Sequence, residues 1–191
     1  MKLSLSWIKD YVNIPEDADL KKLAYDLTMS TVEVEDVEDL ARRFDNMLVG
    51  VIEKIEPHPN ADKLRVCKVD IGGGEIKDIV CGGINLKEGM RVAVSCPGAV
   101  VRWHGEGEPV VIKNSKLRGV ESYGMICASD EIGLGELFPA EQEAEILDLS
   151  AFDVPAGTSL ADALDMNDIL LEIDNKSMTN RPDLWGHYGI A

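Results

Sequence analysis

The chain has 191 residues, 45% of them hydrophobic, which is enough apolar material for one large domain or two small ones. Its 19 basic and 35 acidic side chains give a formal net charge of −16 at pH 7. Such a charge opposes approach to a polyanion, because neutralised phosphates supply most of the non-specific affinity for nucleic acid. Any binding of this kind has to come from a local basic segment.

The charge is unevenly distributed along the chain. Residues 1–39 contain four basic and ten acidic side chains, and residues 119–150 contain eight acids and no base. Residues 54–118 contain eleven basic and eight acidic side chains, a local charge of +3. Only this middle segment is therefore suited to face RNA, and its small excess charge predicts an auxiliary contact.

Several classes of site are absent from the sequence. Cys67, Cys81, Cys96 and Cys127 are at least 14 residues apart and form no C-x-x-C pair, so we predict no metal site. Gly72–Gly74 is not followed by the Lys-Ser/Thr of a phosphate-binding loop. The sequence also has no recognisable Ser/His/Asp catalytic triad, so we predict no catalytic residue. Without a signal peptide or a long apolar run, we expect a cytoplasmic protein with reduced thiols and no membrane partner.

The first segment predicts a mixture of strand and helix. Leu3 and Leu5 alternate with serines, and a short helical stretch follows from Trp7 to Val12. Asp17 or Asp19 can cap the next helix, whose apolar residues at 20, 23, 24 and 27 have helical spacing. A strand ending near Glu38 completes this segment.

The middle segment predicts short strands. The run 63–71 changes its apolar phase between Val66 and Cys67, which predicts a β-bulge there. Gly72–Gly74 predicts a hairpin turn into 75–80. Further strands are expected at 49–55, 91–95, 110–113 and 124–128. Short strands with Gly-rich turns and little helix favour a small barrel.

The last segment returns to a mixed pattern. Thr158 or Ser159 can cap a helix that runs to Leu164, and 168–173 is typical of a strand. Pro182 suits the first position of a helix through Trp185 and Tyr188. Because the chain stops within that helix, we expect the sequence to be a piece of a longer protein. The polar group Asn175, Asn180, Arg181 and Asp183 predicts a helix cap with Arg181 bridging to an acid.

Two stretches about fifty residues apart contain the candidate nucleic-acid contacts: HPNADKL at 58–64 and KLRGVESYGM at 116–125. Lys63 and Arg65 are two residues apart, as are Lys116 and Arg118, and on a strand this spacing points both members to one face. Two such pairs on a small sheet would form a cationic spot suited to phosphate. The alternative, which stays open, is pairing within the protein with Glu121, Asp62 or the acids of 130–148.

The other residues of these stretches also have two interpretations. His58 and Asn60 either shape a tight connection, with Asn60 or Asp62 closing a turn on its own backbone, or present RNA contacts from the barrel rim. Ser122 has a hydroxyl suited to a ligand, whereas Gly119 and Gly124 favour roles in backbone geometry. Aromatic residues that could stack on bases are few in this segment, which favours recognition of folded RNA by shape and phosphate.

Together the two stretches resemble the tRNA-binding oligonucleotide-fold (OB-fold) module. The opening MKLSLSWIKDYVNIP and the closing LEIDNKSMTNRPDLWGHYGIA flank it, and the three parts in this order resemble the start of the bacterial phenylalanyl-tRNA synthetase β-subunit family. The resemblance implies an α+β fold, with a small OB-fold β-barrel at 40–149 inserted into a split α/β domain. That domain would consist of residues 1–39 and 150–191.

The resemblance also implies a function. The family's enzyme is an α2β2 heterotetramer that joins phenylalanine to tRNA(Phe) with ATP and Mg²⁺, and its aminoacylation site lies on the α subunit. The editing and catalytic-like parts of the β subunit would lie beyond residue 191, so this chain would be a non-catalytic tRNA-binding or assembly module that needs no cofactor. The nucleic-acid-binding residues expected are His58, Asn60, Lys63, Arg65, Lys116, Arg118 and Ser122. The alternatives are an autonomous tRNA-binding protein and a barrel that has kept its fold but lost RNA affinity.

Overall fold

The computed structural model describes Met1–Ala191, apart from the side chain of Ser177. The chain forms two compact units, Met1–Ala41 with Asn167–Ala191, and Arg42–Met166. The strands are β1 Lys2–Ser4, β2 Val34–Asp39, β3 Met47–Pro57, β4 Arg65–Asp70, β5 Ile76–Cys81, β6 Arg91–Ser95, β7 Val100–Val101, β8 Val110–Val111, β9 Ser115–Leu117, β10 Val120–Ser122, β11 Met125–Ile126 and β12 Ile169–Ile173. The helices are α1 Leu5–Ile8, α2 Leu20–Ser30, α3 Leu160–Ala163 and α4 Gly186–Ile190.

The first unit is built on a three-stranded antiparallel sheet in the order β1-β12-β2. Leu171 of β12 lies opposite Leu3 on one side and Val37 on the other. One face of the sheet is apolar and packs with the helices and turns around it. The buried residues of this core are Leu3, Leu5, Ile8, Val32, Leu171, Ile173, Met178 and Leu184.

Asp168, just before β12, connects the end of the chain to its beginning. Its carboxylate accepts hydrogen bonds from the Ser4 hydroxyl, from the backbone N–H and hydroxyl of Ser6, and from the backbone N–H of Ile169. Burial raises the pKa of Asp168, but these hydrogen bonds lower it by more, so the net pKa lies below the usual value. The ionised carboxylate therefore stabilises this unit.

The helices of the first unit partly follow the sequence predictions. The cap at Asp19 is confirmed, since its side chain accepts from the backbone N–H groups of Lys21 and Lys22. The prediction of one continuous helix from Pro182 is wrong. A 3-10 turn spans Pro182–Leu184, Trp185 is extended, and α4 begins at Gly186. Gly186 has a φ of 84°, a left-handed conformation that favours glycine and breaks the helical path.

The second unit contains a five-stranded antiparallel sheet in the order β11-β6-β3-β4-β5. Its edge strands β11 and β5 lie against each other, and the backbone N–H of Tyr123 donates to the carbonyl of Asp78. The sheet is therefore nearly closed, which confirms the small barrel and is compatible with an OB-like fold. Its interior contains Ile52, Cys67, Val69, Ile79, Cys81, Met90, Val92, Val94, Ile126 and Ile146.

The bulge predicted between Val66 and Cys67 lies elsewhere. The register shifts on β3, where Ile52 pairs with Val69 but Lys54 pairs with Lys68, so the extra residue is Glu53. Val66 and Cys67 are both buried although they face opposite sides of β4. The apolar run there reflects burial of both strand faces, and not a change of phase.

Residues 150–166 belong to the barrel unit, which therefore extends past the predicted boundary at residue 150. Val49 of β3 accepts a backbone hydrogen bond from Gly157 and donates one to Thr158. β4 pairs with β3 only from Val51 onward, so the first residues of β3 have an open edge. The segment that contains Gly157 and Thr158 covers this edge.

Other features of the described residues bear on the class of protein. No helix in this part of the chain is both long and apolar enough to cross a membrane. No group of three or more His, Cys, Asp or Glu side chains among these residues is placed to hold a metal ion. All four cysteines are free, and burial raises the pKa of Cys67 and Cys127 to about 12 and of Cys81 to about 11.

Replacing Asp168 with Asn should destabilise the first unit by about 1–2 kcal/mol at neutral pH, because charge-assisted hydrogen bonds are lost. The native pKa of Asp168 is lowered, so its contribution is present above its unfolded-state pKa and is lost as pH falls through the native value. The difference between wild type and variant should therefore shrink below pH about 4. Urea unfolding of a Trp103→Phe background, in which Trp7 and Trp185 report on this unit, measures it.

The matched control is Asp17→Asn, an exposed carboxylate of the same unit. A variant at position 168 as stable as this control at neutral pH would mean that the hydrogen bonds to Ser4 and Ser6 contribute nothing to folding.

Candidate nucleic-acid interface

The two motif stretches meet in the structure through hydrogen bonds from the first to the second. The backbone N–H of Asn60 donates to His58 Nδ1 at 3.1 Å, so the ring proton lies on Nε2, which donates to the carbonyl of Leu117 at 3.1 Å. Asn60 Nδ2 donates to the carbonyl of Arg118 at 2.9 Å. The loop that follows β3 therefore holds the backbone of the turn between β9 and β10.

That turn is a two-residue connection with an unusual backbone. β9 and β10 pair antiparallel, with Leu117 opposite Val120. The two residues between them, Arg118 and Gly119, have φ values of 46° and 99°. Positive φ at both positions is what a type I′ hairpin turn requires, and Asn or Gly usually occupies them. Arg118 is thus held in a conformation that its side chain disfavours.

The four predicted cations lie on the segments that these hydrogen bonds join, and all four are exposed. Arg65 begins β4 and Lys116 lies in β9, whereas Lys63 lies in the turn before β4 and Arg118 in the hairpin turn. The prediction that each pair shares a strand face is therefore wrong, because only one member of each pair is on a strand. Hydrogen bonds from His58 and Asn60 join the loop to the hairpin, so the four cations lie on two connected segments.

None of these four cations forms an ion pair within the part of the chain that the structure describes. Lys116 lies opposite Glu121 in register without pairing with it. Arg65 donates from Nη1 to the carbonyls of Asp62 and Leu64, which orients its side chain while leaving its charge uncompensated. The junction of loop and hairpin therefore has four uncompensated positive charges. We call Lys63, Arg65, Lys116 and Arg118 the cationic junction.

The side chains of His58, Asn60 and Ser122 form hydrogen bonds within the protein. His58 is 6% exposed. The amide of Asn60 donates to the hairpin, whereas a turn closed on its own backbone by Asn60 or Asp62 was the predicted alternative. Ser122 is 1% exposed, and its hydroxyl accepts from the N–H of Val80 and donates to the carbonyl of Gly124. These bonds join β5 to the segment between β10 and β11. All three side chains position the backbone.

A groove of about 970 Å³ lies beside the cationic junction and was not predicted. Lys68, Lys77, Lys116 and Tyr123 line it. Lys68 pairs with Asp78 at 2.9 Å, and Lys77 pairs with Glu75 at 2.9 Å while its Nζ lies 4.9 Å from the centre of the Tyr123 ring. The only aromatic ring of the groove is thus already in contact with a cation. The groove could not be predicted from sequence spacing, because its walls come from strands that are far apart in the chain.

A nearly closed antiparallel barrel with uncompensated cations at a loop–hairpin junction is typical of a nucleic-acid-binding module. A protein-family profile described as "Putative tRNA binding domain" matches residues 47–159, more than half of the chain. The chain belongs to this family.

Curated relatives match over the whole chain. The phenylalanine–tRNA ligase beta subunit of Prochlorococcus marinus is 41% identical over 192 residues, and that of Cupriavidus pinatubonensis is 40% identical. Each match covers 100% of this chain and 22% of the relative, so the chain spans about a fifth of their length. Among solved structures, the C-terminal domain of Plasmodium vivax p43 is 28% identical, with 42% of this chain and 44% of that chain covered. The TM-score of this match is 0.33.

Replacing Asn60 with Ala should loosen the hairpin more than it destabilises the protein. The lost bond to the Arg118 carbonyl costs about 1 kcal/mol, since the site is exposed enough for water to replace the donor. Hydrogen exchange of the 115–122 segment should accelerate. Asn114→Ala, an exposed amide beside the same hairpin, is the control. Equal exchange in both variants would remove the role assigned to Asn60.

Proposed function

We propose that this chain is the tRNA-binding N-terminal part of a phenylalanine–tRNA ligase β subunit. The family match over residues 47–159 and the matches to β subunits over the whole chain support this proposal. The enzyme is an aminoacyl-tRNA synthetase, a ligase that couples phenylalanine to tRNA(Phe). In it, this chain contributes RNA contact and not chemistry.

The cationic junction is the part of the chain that we assign to RNA. Ammonium and guanidinium groups bind backbone phosphates, and their binding releases counterions from the RNA. Arg65 and Arg118 can meet a phosphate through two N–H groups at once, whereas the lysines act as point charges. With a local charge of +3 on a chain of −16, affinity should be weak, on the order of the 10⁻⁴–10⁻⁶ M typical of non-specific contacts.

Recognition by shape and phosphate fits this surface better than stacking on bases. The single aromatic ring of the groove, Tyr123, is contacted by Lys77, so a base would have to displace that cation. Folded RNA presents phosphates and ribose hydroxyls at a rigid spacing, which loop-borne cations can read without unstacking a base. We therefore assign the junction to a structured part of tRNA.

The conformation of Arg118 is the observation that carries the proposal. Glycine or asparagine would fit this position of the turn without strain, and the Arg118 side chain makes no ion pair among the described residues. A residue that is costly for the backbone and unused by the protein points to a ligand outside it. The uncompensated charge of the guanidinium indicates an anion.

The other parts of the enzyme lie outside this chain in our proposal. We place the aminoacylation site, with its ATP and Mg²⁺, on the α subunit of an α2β2 heterotetramer in the cytoplasm. We also propose that residues 1–39 and the residues after the barrel form one split α/β domain into which the barrel is inserted. The strand order β1-β12-β2 supports this arrangement, since β12 pairs with strands from the other end of the chain.

A second candidate function is a barrel that keeps its fold for assembly and has lost its affinity for RNA. The formal charge of −16 favours it, as does the internal use of His58, Asn60 and Ser122. Binding measurements separate the two candidates, because only a tRNA-binding barrel depends on the cationic junction.

Replacing Lys63, Arg65, Lys116 and Arg118 with Ala together should weaken tRNA binding similarly across tRNA sequences. It should also flatten the salt dependence: the slope of log K against log salt should fall by about three, since each lost phosphate contact removes about 0.7–0.9. Fluorescence anisotropy of labelled tRNA, titrated at low and physiological salt, measures both quantities.

The control is a second quadruple variant with the same change in net charge, in which exposed cations elsewhere are replaced: Lys9, Lys21, Lys87 and Lys176 to Ala. If both variants lose affinity equally, the effect comes from overall charge. If neither variant changes the affinity or the slope, the barrel has the second candidate function, a role in assembly without affinity for RNA.

Replacing Arg118 alone with Gly should separate stability from binding. Glycine adopts the left-handed conformation without strain, so the free energy of unfolding should stay the same or rise, by at most about 1 kcal/mol. Affinity for tRNA should nevertheless fall. Thermal denaturation measures the stability of the variant, and the same anisotropy titration measures its affinity for tRNA. A variant that is more stable with unchanged affinity would contradict the role of Arg118.

A further inference from the structure

An exposed cluster of aromatic rings lies in the first unit, outside the barrel. Trp7 and Tyr11 come from α1 and the turn after it, and His187 and Tyr188 come from α4. The ring centroids of Trp7 and His187 are 4.9 Å apart. Those of Tyr11 and Tyr188 are 5.4 Å apart, and these two rings meet edge to face. We call these four residues the aromatic cluster.

The cluster is exposed to solvent to a degree that is unusual for its size. Trp7 is 62% exposed, Tyr11 58% and Tyr188 78%. Single exposed apolar residues are ordinary, but a contiguous group of large rings marks an interaction surface. Tryptophan and tyrosine are also the residues that most often dominate the energetics of protein interfaces.

Trp7 and His187 of the cluster are anchored to the first unit. Leu5 and Ile8 of α1 are buried in the first unit, which fixes the helix that presents Trp7. His187 Nε2 accepts the backbone N–H of Ser4 at 3.0 Å, which fixes the orientation of the ring against Trp7. Anchoring of this kind reduces the conformational entropy that these two rings lose when a partner covers them.

The charge of the surroundings limits the kind of partner. The first unit contains six basic and fourteen acidic side chains, a formal −8, so a polyanion such as RNA is repelled. A second copy would bring the same charge to the contact and is repelled for the same reason. Close to the rings the sequence is nearly neutral: residues 184–191 contain no Asp, Glu, Lys or Arg. Depletion of charge around aromatic residues is typical of the centre of a protein–protein interface.

We infer that the aromatic cluster docks an apolar surface of another region of the same, longer polypeptide. The inference rests on the proposed function, in which this chain is one part of a β subunit. The relatives that match it are between four and five times as long, since the chain covers 22% of each. A covalently attached region is present at high effective concentration, so it can cover an apolar patch without overcoming repulsion between two acidic molecules.

Thiol labelling tests this inference, because the native cysteines do not interfere. Cys67, Cys81 and Cys127 are buried, and burial also raises the pKa of Cys96, so all four react slowly. A Tyr188→Cys variant is prepared in this chain and in a chimera that replaces the matched stretch of the Prochlorococcus marinus relative with this chain. A fluorescent maleimide should label the chain rapidly and the chimera about tenfold more slowly or less, since labelling then requires local opening.

Lys21→Cys, on the exposed face of α2 in the same unit, is the control and should label at similar rates in both proteins. Tyr11→Cys provides a second position if the first variant unfolds. Equal labelling of the cluster in chain and chimera overturns the inference. Protection in the isolated chain that grows with its concentration, or that appears on adding tRNA, assigns the cluster to a second copy or to RNA and also overturns it.

A second measurement distinguishes failure of the docking inference from failure of the proposed function. Aminoacylation of tRNA(Phe) by the chimera together with its α subunit tests the assignment to the ligase. An active chimera with an unprotected cluster contradicts only the docking inference, and a protected cluster in an inactive chimera contradicts only the proposed function.

Discussion

The pairing of β12 with both β1 and β2 is the interaction on which the first unit depends. β12 provides the middle strand of a three-stranded sheet, so neither the beginning nor the end of the chain can complete a core without it. About 130 residues separate β2 from β12, and closing such a loop costs entropy before any contact forms. Folding of the 42–166 unit shortens the effective loop, because the contacts inside that unit are made without the flanks. The carboxylate of Asp168 then fixes the returning strand to Ser4 and Ser6 by hydrogen bonds that need no further ordering of the chain.

At the candidate interface, positioning and charge belong to different residues. His58 and Asn60 use neutral side chains to hold two carbonyls of the hairpin turn, and Ser122 fixes the far end of the same hairpin. Because these groups satisfy the backbone, no cation is needed for that purpose. Lys63 and Arg118 are left with their charge unpaired on a chain that has an excess of carboxylates. Exposed cations such as Lys9 and Lys87 also form no ion pair among the described residues, so the absence of pairing does not by itself distinguish the junction. The junction differs because its cations lie on two segments that hydrogen bonds hold together.

The sequence predicted best what local chemistry determines. The cap at Asp19, the strand at Arg91–Ser95 and the barrel-like sheet follow from side-chain hydrogen bonding and period-two alternation. The bulge was misplaced, because a buried pair such as Val66 and Cys67 gives the same pattern whether the phase changes or both faces are covered. The prediction that each pair of cations lies on one strand face was wrong for Lys63 and Arg118, which lie in turns. The position at which a strand ends depends on the turn beside it, and the spacing of two residues does not reveal it. Neither the contact between the two motif stretches nor the groove could be predicted, since both depend on register between distant strands.

The uncompensated cations and the exposed rings indicate two different uses of the chain. Cations on an acidic protein gain from an anionic ligand, and their effect declines with salt because it is electrostatic. The rings of Trp7 and Tyr188 gain from burial, which salt does not screen. A weak, salt-sensitive RNA contact becomes useful when the molecule that makes it is already bound to the tRNA elsewhere, because tethering raises its effective concentration. In our proposals this chain is covalently part of a longer polypeptide, which supplies that tether, and docking of the rings would fix the chain in place on it. The weakness expected of the RNA contact and the exposure of the rings then have one explanation.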